Sequence, residues 1–129
     1  MGREIGASLK EGEILAFVGG LGAGKTTFIQ GLAKGLGINS KIVSPTFILM
    51  RKYRMDESVD KSFYHLDLYR LEGDVKKEVE NLGLFDIWKD TNNIIAIEWA
   101  EKIEDIVPAG AKWIKMENIS ESERNITIE

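Results

Sequence analysis

The sequence contains no cysteine and a single histidine. Without thiols there are no disulfides and no thiolate metal sites, and one histidine is too few for the usual zinc ligand sets. Long apolar runs are missing as well: the longest, Ile14 to Val18, falls far short of the ~20 residues that a membrane helix requires. The first residues, Met1-Gly2-Arg3-Glu4-Ile5-Gly6, lack the apolar core of a secretory signal, and Gly6 stands where a myristoylation signal has serine or threonine. There is no excess of basic charge. A net charge of −4 and an isoelectric point near 5.1 argue against a general polyanion binder, so contact with nucleic acid is expected to be local or made through a partner. From these absences a soluble, cytoplasmic protein is expected. No internal repeat or low-complexity tract occurs.

What is present is 129 residues, 43% of them hydrophobic, enough to bury a core in one domain spanning 1–129. The most informative stretch is Gly19-Gly20-Leu21-Gly22-Ala23-Gly24-Lys25-Thr26, followed by Thr27. It fits the pattern G-x-x-x-x-G-K-[ST] without a mismatch. Ile14 to Val18 reads as a buried strand leading in, and Thr26 to Leu36 as a helix leading out. An oligophosphate can be wrapped by successive backbone N–H groups only where side chains do not crowd the turn, which accounts for Gly19, Gly22 and Gly24. Lys25 then places its ammonium between the outer phosphates, Thr26 offers its hydroxyl to Mg²⁺, and the helix start adds its positive dipole end. A bare strand-to-helix turn needs neither the lysine nor the paired threonines Thr26 and Thr27.

The chain in order gives alternating strands and helices. Residues 3–10 can form a short helix burying Ile5 and Leu9, before Gly12 turns into the first strand. Phe28, Ile29, Leu32 and Leu36 repeat at helical spacing, and Gly37 is placed to stop that helix. Lys41 to Phe47 approaches a loop stiffened by Pro45, and Ile48 to Tyr53 follows as a strand. Met55 to Asp60 is turn-like, so an antiparallel hairpin is expected between Ile48–Tyr53 and the strand Phe63–Leu66. Asp74 can cap a helix carrying Val75, Val79 and Leu82 on one face, ended by Gly83. Leu84, Phe85, Ile87 and Trp88 read as core or a docking edge. Asp90 to Asn93 is a turn, Ile94 to Ile97 a strand, and residues 100–107 a short helix closed by Pro108. Trp113–Met116 and Asn125–Ile128 alternate as strands. The expected fold is α/β, a mainly parallel sheet with helices against it and antiparallel pieces in the middle and at the end.

A phosphate cradle also needs a carboxylate for Mg²⁺, at the carboxyl end of a strand beside the first one. Asp67 and Glu98 both emerge from apolar strands. Asp67 is assigned to the Mg²⁺ shell, and Glu98 to positioning the attacking water or completing that shell. Thr46, in Ser44-Pro45-Thr46, is placed to sense the γ-phosphate and Mg²⁺ as switch loops do. His65 reads as a strand histidine rather than a catalyst. Arg51, Arg54, Arg70 and Arg124 are candidate phosphate or partner contacts. No N-K-x-D guanine-reading motif and no D-x-x-G switch follows the loop, which disfavours GTP and leaves ATP as the nucleotide.

Four segments in order, Leu21 to Phe28, Ser44 to Phe47, His65-Leu66-Asp67-Leu68-Tyr69-Arg70-Leu71, and Ile97-Glu98-Trp99, resemble the TsaE (YjeE) family over nearly the whole chain. The resemblance implies a P-loop nucleoside triphosphate hydrolase fold and weak, partner-dependent ATP hydrolysis in biosynthesis of threonylcarbamoyladenosine in tRNA. It implies TsaD and TsaB as partners, tRNA being met through their complex rather than directly. It also implies a nucleotide site of Gly22, Ala23, Gly24, Lys25, Thr26 and Thr27 with Thr46 of the switch loop, and Asp67 and Glu98 as the functional acids. Trp99 is then expected near the nucleotide or the partner surface. The family usually has an acidic residue where this chain has Gly20, and its members tend to begin earlier, so base recognition is expected either to rest on the loop Ser120 to Arg124 or to be loose. Two competing readings share the cradle. One is a small-molecule kinase, with Arg51 and Arg54 near a lid; the other is a non-hydrolytic, nucleotide-gated binding module using exposed Trp88 and Trp99.

Overall fold

The computed structural model describes residues 12–19, 25–38, 50–56, 61–69, 72–118 and 124–128. Strand β1 is Ile14–Val18, helix α1 Lys25–Gly35, β2 Met50–Asp56, β3 Lys61–Asp67, α2 Val75–Asn81, α3 Leu84–Lys89, β4 Asn93–Glu98, β5 Lys112–Asn118 and β6 Arg124–Ile128. A single 3₁₀ turn covers Ala100–Ile103. The six strands form one sheet in the order β2-β3-β4-β1-β5-β6. The four inner strands run parallel, and β2 and β6 pair antiparallel with β3 and β5 at the two edges. This is the mainly parallel α/β sheet expected, with its antiparallel pieces where the hairpins fall.

The apolar runs of β1 and β4 are long because both faces of these strands are covered. Leu15 and Phe17 face α1, where they meet Phe28, Ile29, Leu32 and Ala33. Phe17 and Phe28 meet edge to face with ring centroids 5.6 Å apart. Ile14 and Ala16 face the other way, into a cluster with Val75, Val79, Leu84, Ala100 and Ile103. The sheet is therefore a middle layer, with α1 on one side and α2, α3 and the 3₁₀ turn on the other.

Local chemistry sets the helix ends. Gly37 has φ +85°; its N–H donates to the Lys34 carbonyl at 3.1 Å and that of Ile38 to the Ala33 carbonyl at 2.9 Å. These two bonds are the Schellman arrangement, and a left-handed residue is needed to make them. The Asp74 carboxylate accepts from Lys77 N–H at 3.2 Å and caps α2, while Gly83 ends that segment and begins α3.

Several expected boundaries shift. Helix α1 begins at Lys25 rather than Thr26 and ends at Gly35 rather than Leu36. Strand β2 runs to Asp56 instead of ending at Tyr53, with a register irregularity between Arg54 and Asp56. Polar residues are tolerated there because β2 is an edge strand. Asn93 belongs to β4 rather than to the turn, its side chain donating to the Ile87 carbonyl at 3.0 Å. The helix expected over residues 100–107 is only one 3₁₀ turn, in which Ala100 and Ile103, three apart, both reach the core at 0% exposure. Three-residue periodicity aligns them on one line, and the Ile103 carbonyl then accepts both Ile106 and Val107 N–H in the turns that follow. Residues 3–10 and 41–49 lie outside the described residues.

Candidate functional site

Strand β1 ends at Val18 and passes into Gly19, whose φ of +148° is one that residues with a side chain rarely adopt. Helix α1 opens at Lys25. Gly20 and the candidate phosphate ligands Gly22, Ala23 and Gly24 lie between these two elements, outside the described residues, as does Thr46. The backbone of Lys25 and Thr26 forms the first turn of α1, and Thr27 beside them is exposed.

The sheet order brings the two candidate acids together. Strand β4 lies between β3 and β1, and the register pairs Glu98 with Asp67 on one side and with Phe17 on the other. Both carboxylates thus sit at the carboxyl ends of parallel strands, on the face that carries α1, Glu98 on the strand next to β1 and Asp67 one strand further out. Glu98 is enclosed at 4% exposure. Asp67 is half-buried, and its Oδ1 accepts the Tyr69 N–H at 3.0 Å, which ties the side chain back to the turn after β3. Leu68 N–H donates to the Glu98 carbonyl at 3.2 Å and extends the ladder one step past the strand end.

Beneath this pair the structure adds a residue that the sequence reading set aside. His65 is fully buried, and its Nε2 donates to Glu98 Oε2 at 2.6 Å. It is a strand histidine, as expected, but one bonded to a candidate functional acid. The available signal was its spacing from Asp67: residues two apart on a strand point to the same face. Arg51 stands opposite His65 in the hairpin, and its Nε is buried with no hydrogen-bond partner among the described residues.

Trp99 follows Glu98 with φ 61° and ψ 37°, the described non-glycine residue in the left-handed region. Such a conformation costs roughly 1–2 kcal/mol for an L residue. It turns the indole onto Tyr69, centroid to centroid 5.1 Å, and Lys102 Nζ donates to the Tyr69 carbonyl at 2.8 Å. Trp88 and Trp99 are both half-buried against the core rather than exposed. The expected loop position of Arg124 is also corrected: its backbone starts β6 and pairs with Asn118. This places it at the same carboxyl edge of the sheet, two strands beyond β1.

Hard oxygen ligands suit Mg²⁺, which keeps several waters and takes one or two carboxylates plus substrate phosphates rather than a full protein cage. Asp67 and Glu98 meet that requirement, and among the described residues no group of three or more metal-ligating side chains assembles. Among the same residues no helix is long and apolar enough to cross a membrane.

The likeness to known proteins runs through all these elements. A family model described as threonylcarbamoyl adenosine biosynthesis protein TsaE matches residues 1–126. A Nostoc protein named tRNA threonylcarbamoyladenosine biosynthesis protein TsaE is 44% identical over 80% of this chain, which spans 62% of that relative's length. The protein of the same name from Bacillus subtilis is 40% identical over 94% of this chain and 72% of its own. The crystal structure of Bacillus subtilis YdiB superposes with a TM-score of 0.74 at 31% identity, covering 98% of this chain and 74% of that one. With the mixed sheet, the glycine-rich sequence between β1 and α1, and a family match over almost every residue, this chain belongs to the TsaE family.

Proposed function

We propose that this protein binds Mg²⁺ and ATP, hydrolyses the ATP to ADP and phosphate, and thereby supports threonylcarbamoylation of the adenosine next to the anticodon in tRNA by acting on a TsaD–TsaB complex. The observation that carries the reading is the register of Asp67 with Glu98 beside β1. Two strand-end carboxylates, one of them on the neighbour of the strand that precedes the phosphate-binding sequence, suit a Mg²⁺-dependent phosphoryl transfer. Family membership supports the pathway; TsaD and TsaB as partners and a cytoplasmic setting are further parts of this proposal.

In this reading Lys25 and the backbone of Gly22 to Thr27 hold the phosphates, Thr26 and Asp67 hold Mg²⁺, and Thr46 registers the γ-phosphate. Glu98 orients the attacking water or completes the metal shell. Mg²⁺, when bound, supplies charge neutralisation at the β- and γ-phosphate oxygens. Arg124, at the same edge of the sheet, is the proposed contact on the nucleotide's far side. ATP turnover is to be measured with the purified protein alone and with TsaD and TsaB. Turnover that rises with both partners supports the reading; turnover that rises instead with a small hydroxyl acceptor selects a kinase.

A further inference from the structure

His65 is the chain's single histidine and is completely enclosed under the carboxyl ends of β3 and β4. Its bond to Glu98 Oε2, at 2.6 Å, is shorter than the ~2.9 Å of an ordinary N–H···O bond. A carboxylate only accepts, so the bond assigns the ring proton to Nε2. The other nitrogen, Nδ1, is buried and has no hydrogen-bond partner among the described residues. Packing alone does not explain an imidazole here, because an enclosed polar ring with one unmet nitrogen is costlier than an aliphatic side chain of similar size. Of its neighbours along the sheet face, Phe63 and Ala96 are apolar and equally enclosed, and Arg51 and Asp67 are the polar ones.

The bond does have an effect on Glu98. Three torsions separate a glutamate's backbone from its carboxylate, and tying Oε2 removes most of that freedom. Oε2 is thus anchored, while Oε1 has no donor among the described residues.

We infer that His65 is a positioning residue: through its Nε2–H it holds the Glu98 carboxylate in one rotamer, with Oε1 presented to the Mg²⁺ and water of the nucleotide site. The inference rests on the reading of Glu98 as a functional acid of an ATPase. An error of about 1 Å in such a group costs on the order of 100-fold in rate.

The test has an activity arm and an arm independent of activity. In the first, ATP hydrolysis is followed with TsaD and TsaB present. His65→Leu lowers kcat by about 10–100-fold with KM for ATP little changed, and His65→Gln, whose amide N–H can replace Nε2–H, restores most of it. Wild-type kcat in a folded His65→Leu protein, or a His65→Gln protein as impaired as His65→Leu, overturns the inference. In the second arm, ring ¹⁵N spectra of the single histidine are recorded. The Nε2–H tautomer with a slowly exchanging proton is expected in the wild type and is lost in Glu98→Ala. The signal moves when Mg²⁺ and a non-hydrolysable ATP analogue are added. A spectrum unchanged by Glu98→Ala, or unmoved by Mg²⁺ and the analogue, also overturns it. If the wild type hydrolyses no ATP with its partners, the ATPase reading fails on its own, and the spectra still decide whether His65 holds Glu98 toward bound nucleotide.

Discussion

Asp67 and Glu98 are register partners at the last residues of two neighbouring parallel strands, although they lie far apart in the chain. In the proposed ATPase reading, this register lets Asp67 hold Mg²⁺ and Glu98 complete the metal shell or orient the attacking water, both from strand ends rather than from loops. Asp67→Asn keeps the size of the side chain and its bond from Tyr69 N–H while removing the charge. The Mg²⁺ concentration for half-maximal ATP hydrolysis is expected to rise by about tenfold or more, measured by titrating Mg²⁺ at fixed ATP. An unchanged requirement removes Asp67 from the metal shell.

The His65–Glu98 bond also makes a prediction about stability. Deleting either partner leaves the other buried and unpaired, at a cost of about 1–3 kcal/mol, whereas replacing both with apolar groups can be nearly neutral. Denaturant unfolding of His65→Leu, Glu98→Leu and the double variant checks this. The double variant is expected to be at least as stable as either single one. Simple additivity of two losses means that the two side chains are not energetically coupled.

At Gly37 the backbone conformation, not space, is limiting. A Cβ built there meets nothing within 4 Å, yet φ is +85°. Gly37→Ala is therefore expected to destabilise by roughly 1–2 kcal/mol, and Gly37→Asn by less, since asparagine tolerates the left-handed region better. Thermal unfolding of the two variants distinguishes this from a steric effect, which asparagine would make worse.

Lys76 on α2 bonds the Asp105 carboxylate in the turn after the 3₁₀ segment. That bond holds Asp105 below the usual carboxylate range, against the opposing effect of desolvation. A pKa depressed on folding contributes stability above the unfolded-state value and loses it as pH falls through the folded value. Both side chains are largely exposed, so solvent and salt screen the pair. A carboxyl titration by NMR is expected to show Asp105 titrating below the normal range in the wild type and within it in Lys76→Ala.

Most elements were legible because they depend on local rules. Continuous apolar runs marked β1 and β4, the aspartate at Asp74 marked the start of α2, and glycine at Gly37 marked the end of α1. The polar stretch between Tyr53 and Phe63 marked a hairpin, although the edge position of β2 let the strand run further than its polarity suggested. The 3₁₀ turn was read as a longer helix because Ala100 and Ile103 satisfy both periodicities. The strand-end acids were recognisable as a pair of candidates. The His65 contact was not, since it spans 33 residues and exists only because β3 lies next to β4. Strand order is a property of the whole sheet, and no local periodicity encodes it. Arg124 was misplaced for a related reason: β6 begins at that residue only because Asn118 of β5 is there to pair with it.

The most direct measurement is steady-state ATP hydrolysis by the wild type, Lys25→Ala and Glu98→Ala, each alone and with TsaD and TsaB. Hydrolysis is expected to be weak for the wild type alone and stimulated by the two partners together. Both variants are expected to lose about 100-fold or more of the stimulated rate, while remaining folded by circular dichroism. A Glu98→Ala protein that hydrolyses ATP at the wild-type rate in the presence of both partners contradicts the assignment of the strand-end acids to the reaction.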